Sequence, residues 1–176
     1  MKKIGFYGTH GSGKTTAVYG VAHELKKLDK TLYILGEPAR EAKIIGFNIN
    51  HDANVESELW MISRHIQMEI EAERYKTDYI LCDRTLYDHI AYIEVSIKDG
   101  IIREGLQDII YDYAHLKPYD KIFMFGLRDD VQADYARLPD VEYARRIHQI
   151  MSEQPLYPSP YIIDNREFSL IVREIM

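Results

Sequence analysis

The sequence has a single cysteine, no long apolar run and no low-complexity or proline- and glycine-rich linker. Cys82 alone cannot form an internal disulfide, which fits a reducing compartment. A membrane span needs about 18 consecutive apolar residues, and residues 1–4 lead into a strand-like segment without the apolar stretch of a secretory signal. We therefore expect a cytoplasmic protein with no membrane partner.

The net charge of the chain is −6. An acidic surface repels the phosphate backbones of DNA and RNA, which argues against nucleic acid as a partner. No His, Cys and Asp residues have the spacing of a zinc site. One domain is predicted over residues 1–176, because this length suits one domain and no linker divides it. Composition leaves the oligomeric state open, including a homodimer.

Five short apolar runs alternate with segments of helical periodicity. The runs are predicted strands at residues 4–8, 32–36, 79–83, 121–125 and 161–163. Strands that alternate with helices form parallel sheets covered on both faces. The predicted fold is a three-layer α/β/α sandwich around a five-stranded parallel sheet, with ligands at the carboxyl ends of the strands. Two of the predicted buried helix faces are Val55, Leu59, Ile62, Ile66 and Ile70, and Leu106, Ile109, Tyr113 and Leu116.

Residues 8–15 read G-T-H-G-S-G-K-T and match the phosphate-binding pattern G-x-x-x-x-G-K-[ST]. They follow a predicted strand and open a predicted helix, which is the context that this pattern requires. Glycines let the backbone wrap around a phosphate, and the helix N-terminus adds positive potential. His10 occupies a variable position of the pattern, so its side chain has no separate role. The predicted nucleotide-binding residues are Gly8, His10, Gly11, Ser12, Gly13, Lys14, Thr15 and Thr16.

Two side chains of this loop have predicted chemical roles. Lys14 is expected to reach the β- and γ-phosphates, and the hydroxyl of Thr15 to ligate Mg²⁺. The predicted cofactors are ATP and Mg²⁺, although the sequence does not distinguish ATP from GTP as the donor.

The third predicted strand ends in Asp83-Arg84-Thr85. The sequence has neither the N-K-x-D nor the D-x-x-G motif of a GTPase switch, and no Asp-Glu pair of the kind that ATP-driven motors carry here. The segment resembles the D-R-[YST] signature of P-loop nucleoside and nucleotide kinases, thymidylate kinase among them. That resemblance implies that Asp83 ligates the metal and that Arg84 binds a substrate or nucleotide phosphate. The alternative is that Asp83 and Thr85 only cap the following helix.

The second predicted strand is followed by E-P-A-R-E at residues 37–41. This run is similar to the E-P or E-x-x-R segment of nucleoside kinases and to the E-x-x-R-E run of ribosylnicotinamide kinase domains. The resemblance implies that Glu37 is the general base or orients the acceptor hydroxyl, and that Arg40 binds the acceptor or a phosphate. The alternative is a solvated turn in which Pro38 begins a helix.

The segment 127–150 follows the fourth predicted strand and is rich in arginine. Kinases of this fold carry a helical lid there, so the resemblance implies that some of these arginines close over the phosphates. Arg137 is the predicted catalytic residue of the lid, because it lies in a predicted loop before Pro139. Nearby acidic residues could instead pair with the arginines. The four arginines are Arg128, Arg137, Arg145 and Arg146.

Together these motifs resemble the P-loop ATPase/kinase group that includes ribosylnicotinamide kinase domains and thymidylate-kinase-like proteins. Arg84 departs from ribosylnicotinamide kinases, and the E-P-G-G-T run of thymidylate kinases is missing, so the acceptor stays open. The predicted function is transfer of the γ-phosphoryl group of ATP to a small nucleoside- or nucleotide-type acceptor. Two alternatives remain: a regulator that binds or hydrolyses a nucleoside triphosphate, and a kinase acting on a nucleic-acid hydroxyl. The predicted catalytic residues are Lys14, Asp83, Glu37, Arg84 and Arg137, and the predicted acceptor-binding residues are Glu37, Arg40 and Arg84.

Overall fold

The computed structural model describes residues 1–127, 141–163 and 168–176 of the chain. Within these ranges, five strands form one parallel sheet in the order β2-β3-β1-β4-β5. The predicted strands are confirmed, and their ends differ from the observed ones by at most two residues. The strands are β1 (Lys2–Tyr7), β2 (Leu32–Leu35), β3 (Tyr79–Cys82), β4 (Lys121–Phe125) and β5 (Tyr161–Ile163).

Helices cover both faces of this sheet, which confirms the predicted three-layer sandwich. One face packs against α1 and α7 through a core that includes Phe6, Leu25 and Ile171. The other face packs against α3 to α6 through a core that includes Ile80 and Ile90. No helix in the described part of the chain is long and apolar enough to cross a membrane. The helices are α1 (Lys14–Lys27), α2 (Pro38–Ile44), α3 (Val55–Arg74), α4 (Leu86–Lys98), α5 (Leu106–Leu116), α6 (Val141–Glu153) and α7 (Phe168–Ile175).

The strand order determines which loops meet. β3 lies between β1 and β2, and all three run parallel. Their carboxyl ends therefore lie side by side at one edge of the sheet. The segments that begin at residues 8, 36 and 83 emerge together there, as predicted.

The buried faces of α3 and α5 differ from the predicted faces. Val55, Leu59 and Ile70 are exposed, and so are Ile109 and Leu116. On α3 the inward positions belong partly to polar side chains, and part of the predicted apolar stripe lies at the surface instead. The buried residues of α3 are Ser57, Glu58, Met61, Ile62, His65, Met68, Glu69 and Ala72.

Two buried polar side chains of α3, Glu69 and His65, belong to a hydrogen-bond network in the interior. Glu69 accepts from the ammonium group of Lys3 at 2.8 Å and from the hydroxyl group of Tyr119. His65 Nδ1 lies 3.1 Å from His89 Nε2 on α4. Buried polar groups are stable when they are paired in this way, so the network fixes α3 against β1 and α4.

Candidate functional site

The loop between β1 and α1 is shaped by its glycines. Gly8, Gly11 and Gly13 have positive φ angles of 148°, 73° and 96°, a conformation that glycine adopts without strain. A Cβ atom at Gly8 would lie 2.9 Å from the carbonyl oxygen of Phe125. In the part of the chain that the structure describes, no side chain caps the first turn of α1. Its N–H groups can therefore bind an anion.

Lys14 lies within this loop. Its Nζ donates to the carbonyl oxygens of Gly8 and Thr9, each at 2.6 Å, and the side chain is buried. Burial, assisted by the charge of Arg84, lowers the pKa of Lys14 to about 8. The ammonium group is thus held where the loop backbone would surround a phosphate.

We expect the affinity of the free protein for ATP to fall as the pH rises above about 8. Protonated Lys14 attracts the triphosphate, and the ammonium group loses its charge as the pH passes its pKa of about 8. The affinity for ATP would then be about tenfold lower at pH 9 than at about pH 7, since only the charged form of Lys14 attracts the phosphates. Equilibrium binding of a fluorescent ATP analogue between about pH 7 and pH 9.5 measures this decline.

The matched control for this experiment is Lys14→Arg, because a guanidinium group stays charged throughout the range. The variant should show no alkaline decline, whatever its absolute affinity. An equal decline in both proteins would show that another group is responsible.

Asp83 follows β3 and meets the phosphate loop. The hydroxyl of Thr15 donates to Asp83 Oδ2 at 2.6 Å. Burial raises the pKa of Asp83, while the hydrogen bond from Thr15 and the charge of Lys14 act in the opposite direction. A hydroxyl and a carboxylate oxygen at this distance suit a hard cation such as Mg²⁺. These two residues fit the predicted metal site.

Thr85, one residue after Arg84, caps α4. Its backbone N–H and its hydroxyl both donate to Asp88 Oδ2 at 2.8 Å, which closes a capping box. Asp83 is not part of that cap, since its carboxylate is bound to Thr15. The capping interpretation therefore holds for Thr85 and does not account for Asp83.

Glu37 and Arg84 form a buried ion pair across the ends of β2 and β3. Arg84 Nε donates to Glu37 Oε1 at 2.7 Å, and Arg40 Nε lies 3.3 Å from Glu37 Oε2. Both Glu37 and Arg84 are close enough to influence the pKa of Lys14. Pro38 begins α2, as the turn interpretation predicts, but Glu37 is buried and paired instead of solvated.

Arg84 is held by several groups besides Glu37. Its guanidinium lies 5.1 Å from the ring centre of Tyr92 and 3.9 Å from Asp88 Oδ1. Its φ angle of 149° is rare for a residue with a side chain. Such strained conformations are held by their surroundings and cluster at functional sites.

A pocket opens beside Arg84, between α2, α3 and α4. Its wall includes Glu58, His89 and Tyr92, none of which was predicted from the sequence. A histidine within the mostly apolar first half of α4 was the available signal. The residues that line the pocket are Ala39, Asn50, Glu58, Met61, Arg84, His89 and Tyr92.

His10, the variable position of the loop, contacts this pocket. Its backbone N–H donates to the hydroxyl of Tyr92 at 3.3 Å, and its Nδ1 lies 3.2 Å from the same oxygen. Ser12 is buried beside Lys14, and Thr15 and Thr16 are exposed at the start of α1. The phosphate loop and the pocket are therefore in direct contact through Tyr92.

The predicted arginines of 127–150 are only partly described. Arg128 and Arg137 lie outside the described residues, so their lid role stays a prediction. Arg145 and Arg146 are on α6, at 3.8 Å from Glu142 and 2.6 Å from Asp99 respectively. These surface pairs agree with the alternative that nearby acidic residues engage them.

The glycine loop, the buried Lys14 and the Thr15–Asp83 contact at the edge of a parallel sheet define a P-loop nucleotide-binding protein. The chain belongs to the AAA domain family, whose model matches residues 3–166. Both findings confirm the predicted P-loop kinase-like group. A sequence comparison with curated proteins finds no match.

Solved structures of deoxyadenosine kinase from M. mycoides have a similar fold. The structure with bound dATP is 16% identical, with a TM-score of 0.69 and coverage of 99% of both chains. The structure with bound dCTP is 17% identical, with a TM-score of 0.67 and coverage of 98% of both chains. At such identities the likeness establishes the fold and leaves the substrate to other arguments.

Proposed function

We propose that this protein transfers the γ-phosphoryl group of ATP to a hydroxyl group of a nucleoside-type acceptor. The observation that carries the proposal is the separation of two buried carboxylates. Asp83 is bound by Thr15 of the phosphate loop, whereas Glu37 is bound by Arg84, which lines the pocket. One carboxylate thus belongs to the donor side and the other to the acceptor side. The fold shared with deoxyadenosine kinase supports the same assignment.

Each residue has a distinct role in this proposal. Lys14 stabilises negative charge on the transferred phosphoryl group, and Thr15 and Asp83 hold Mg²⁺. When bound, this ion neutralises charge on the phosphate oxygens. Glu37 accepts the proton of the acceptor hydroxyl, and Arg84 orients the carboxylate through its 2.7 Å hydrogen bond. Positioning and electrostatics supply most of the catalysis in such reactions.

A hydroxyl acceptor suits the pocket better than a phosphate acceptor. A nucleoside monophosphate would bring a second group of two negative charges next to the triphosphate. The guanidinium of Arg84 is already paired with Glu37 and lies 3.9 Å from Asp88. Because its charge is offset by these carboxylates, Arg84 is poorly suited to bind a second phosphate group. We therefore infer that the acceptor is a nucleoside and not a nucleotide.

A coupled ADP-release assay tests the proposed function. Purified protein with Mg-ATP or Mg-GTP is incubated with nucleosides, nucleoside monophosphates or ribosylnicotinamide. We expect at least one nucleoside to raise ADP release about tenfold or more over the rate without acceptor, because transfer to water lacks a positioned nucleophile. A rate that no acceptor changes would contradict the proposal and favour a nucleotide-hydrolysing regulator.

A further inference from the structure

Glu58 is a buried carboxyl group in the wall of the pocket. It lies on the inward face of α3 and is 2% exposed. Its Oε2 has no hydrogen-bond partner among the residues that the structure describes. Buried polar groups are destabilising unless they are hydrogen-bonded. An unpartnered carboxyl group in a pocket therefore points to a ligand that supplies the missing donor.

Among the residues that the structure describes, no charged group forms an ion pair with Glu58. Burial raises the pKa of Glu58 to about 7, and the charge of Arg84 acts in the opposite direction. The guanidinium of Arg84 is hydrogen-bonded to Glu37 instead. Glu58 is thus ionised above neutral pH, and a ligand that donates hydrogen bonds would favour that ionised form.

His89 and Tyr143 also face Glu58 and keep one protonation state near neutral pH. Burial and the charge of Arg84 lower the pKa of His89, on α4, to about 3. Burial raises the pKa of Tyr143, on α6, and Glu58 adds to that shift. Tyr92 also lines the pocket, from α4. Of Glu58, His89 and Tyr143 in the described part of the chain, Glu58 is therefore the group whose charge changes between about pH 6 and pH 8.

The remaining walls combine apolar, aromatic and uncharged polar groups. Met61 and Tyr92 provide apolar and aromatic surface, while Asn50 and the neutral His89 are polar without charge. Aromatic and thioether surfaces bind flat rings, and a few polar groups fix the ring orientation. An ionised carboxylate in such a wall accepts hydrogen bonds and donates none.

We propose that Glu58 determines acceptor specificity by accepting a hydrogen bond from an exocyclic amino group on the ring of the acceptor. This inference rests on the proposed function, because it assumes that the pocket holds that ring. An amino group donates to the carboxylate, whereas an oxo group at the same ring position presents a lone pair and is repelled. The acceptor class is thus an amino-bearing nucleoside in preference to its oxo counterpart.

Equilibrium dialysis with labelled nucleosides tests the inference without relying on turnover. The matched ligand pairs are cytidine with uridine and adenosine with inosine, each measured at about pH 6 and pH 8. We expect at least one amino-bearing nucleoside to bind about tenfold more tightly than its oxo counterpart at pH 8. The preference should shrink at pH 6, because protonated Glu58 can donate to an oxo group.

The variant Glu58→Gln keeps the size of the side chain and can both donate and accept by rotation of its amide. It should bind both members of each pair with similar affinity, and its selectivity should not depend on pH. The variant Glu58→Leu should lose the preference as well, and circular dichroism checks that both variants fold. Equal binding of each pair to the native protein, or an unchanged preference in Glu58→Gln, overturns the inference.

Failure of the proposed function gives a different pattern. A native protein that binds amino-bearing nucleosides selectively but does not phosphorylate them would refute phosphoryl transfer and support the role of Glu58. A protein that phosphorylates both members of a pair equally well would support phosphoryl transfer and refute the role of Glu58. A protein that binds no nucleoside at all overturns the inference about Glu58.

Discussion

Replacing Lys14 with alanine is expected to lower the turnover number for phosphoryl transfer about 100- to 1,000-fold. The ammonium group lies within the phosphate loop, where it donates to two backbone carbonyl oxygens at 2.6 Å. The γ-phosphoryl group develops negative charge as it moves, and Lys14 is positioned to stabilise that charge. Weaker ATP binding should accompany the loss of turnover.

The Lys14→Ala effect is separable from an effect on folding. Burial lowers the pKa of Lys14 to about 8, below the value in an unfolded chain, so the buried charge opposes folding at neutral pH. Removing it should leave the melting temperature unchanged or higher. The control is Lys27→Ala, in the last turn of the same helix, where Lys27 pairs with Glu24 at the surface. Turnover of Lys14→Ala equal to that of Lys27→Ala would contradict the assignment.

Replacing Glu37 with glutamine is expected to lower turnover with the best acceptor about 100- to 10,000-fold, the usual contribution of a general base. Glutamine keeps an oxygen that can accept the hydrogen bond from Arg84, but it cannot take a proton from the acceptor hydroxyl. ATP affinity should stay within about twofold of the native value, because Glu37 lies on the acceptor side of the site and is not expected to bind ATP.

Steady-state kinetics with ATP and acceptor varied separately measure this effect. The matched control is Glu41→Gln on α2, where Glu41 pairs with Arg64 at 2.8 Å, whereas Glu37 pairs with Arg84. We expect near-native kinetics for the control. A Glu37→Gln variant that keeps native turnover would assign proton transfer to another group.

The donor side of the site was predictable because its residues belong to a local glycine-rich motif and to the end of a predicted strand. The glycine loop is a local motif, and one rule about parallel sheets placed Asp83 at the end of the adjacent strand. Thr15 and Asp83 are 68 positions apart, yet the strand order brings them to 2.6 Å. The same rule explains why Glu37 and Arg84 meet at the ends of β2 and β3, although their pairing was not predicted.

The pocket wall was not predictable to the same extent. Glu58 on α3 looks like a solvated charge, since the apolar periodicity around it indicated another buried face. Its true environment depends on α4 and on the buried network of Lys3, Glu69 and Tyr119. The Lys3–Glu69 contact spans 66 positions. Periodicity within one helix carries no information about partners that far away.

Product analysis of a single reaction tests the central claim most directly. Native protein is incubated with γ-labelled ATP and the nucleoside that binds most tightly, and the label is followed into nucleoside monophosphate and inorganic phosphate. We predict that most of the label appears as nucleoside monophosphate, and that Glu37→Gln lowers the rate at which this product forms by about 100-fold or more. Label that appears only as inorganic phosphate, in the native protein with acceptor bound, would contradict phosphoryl transfer to a nucleoside.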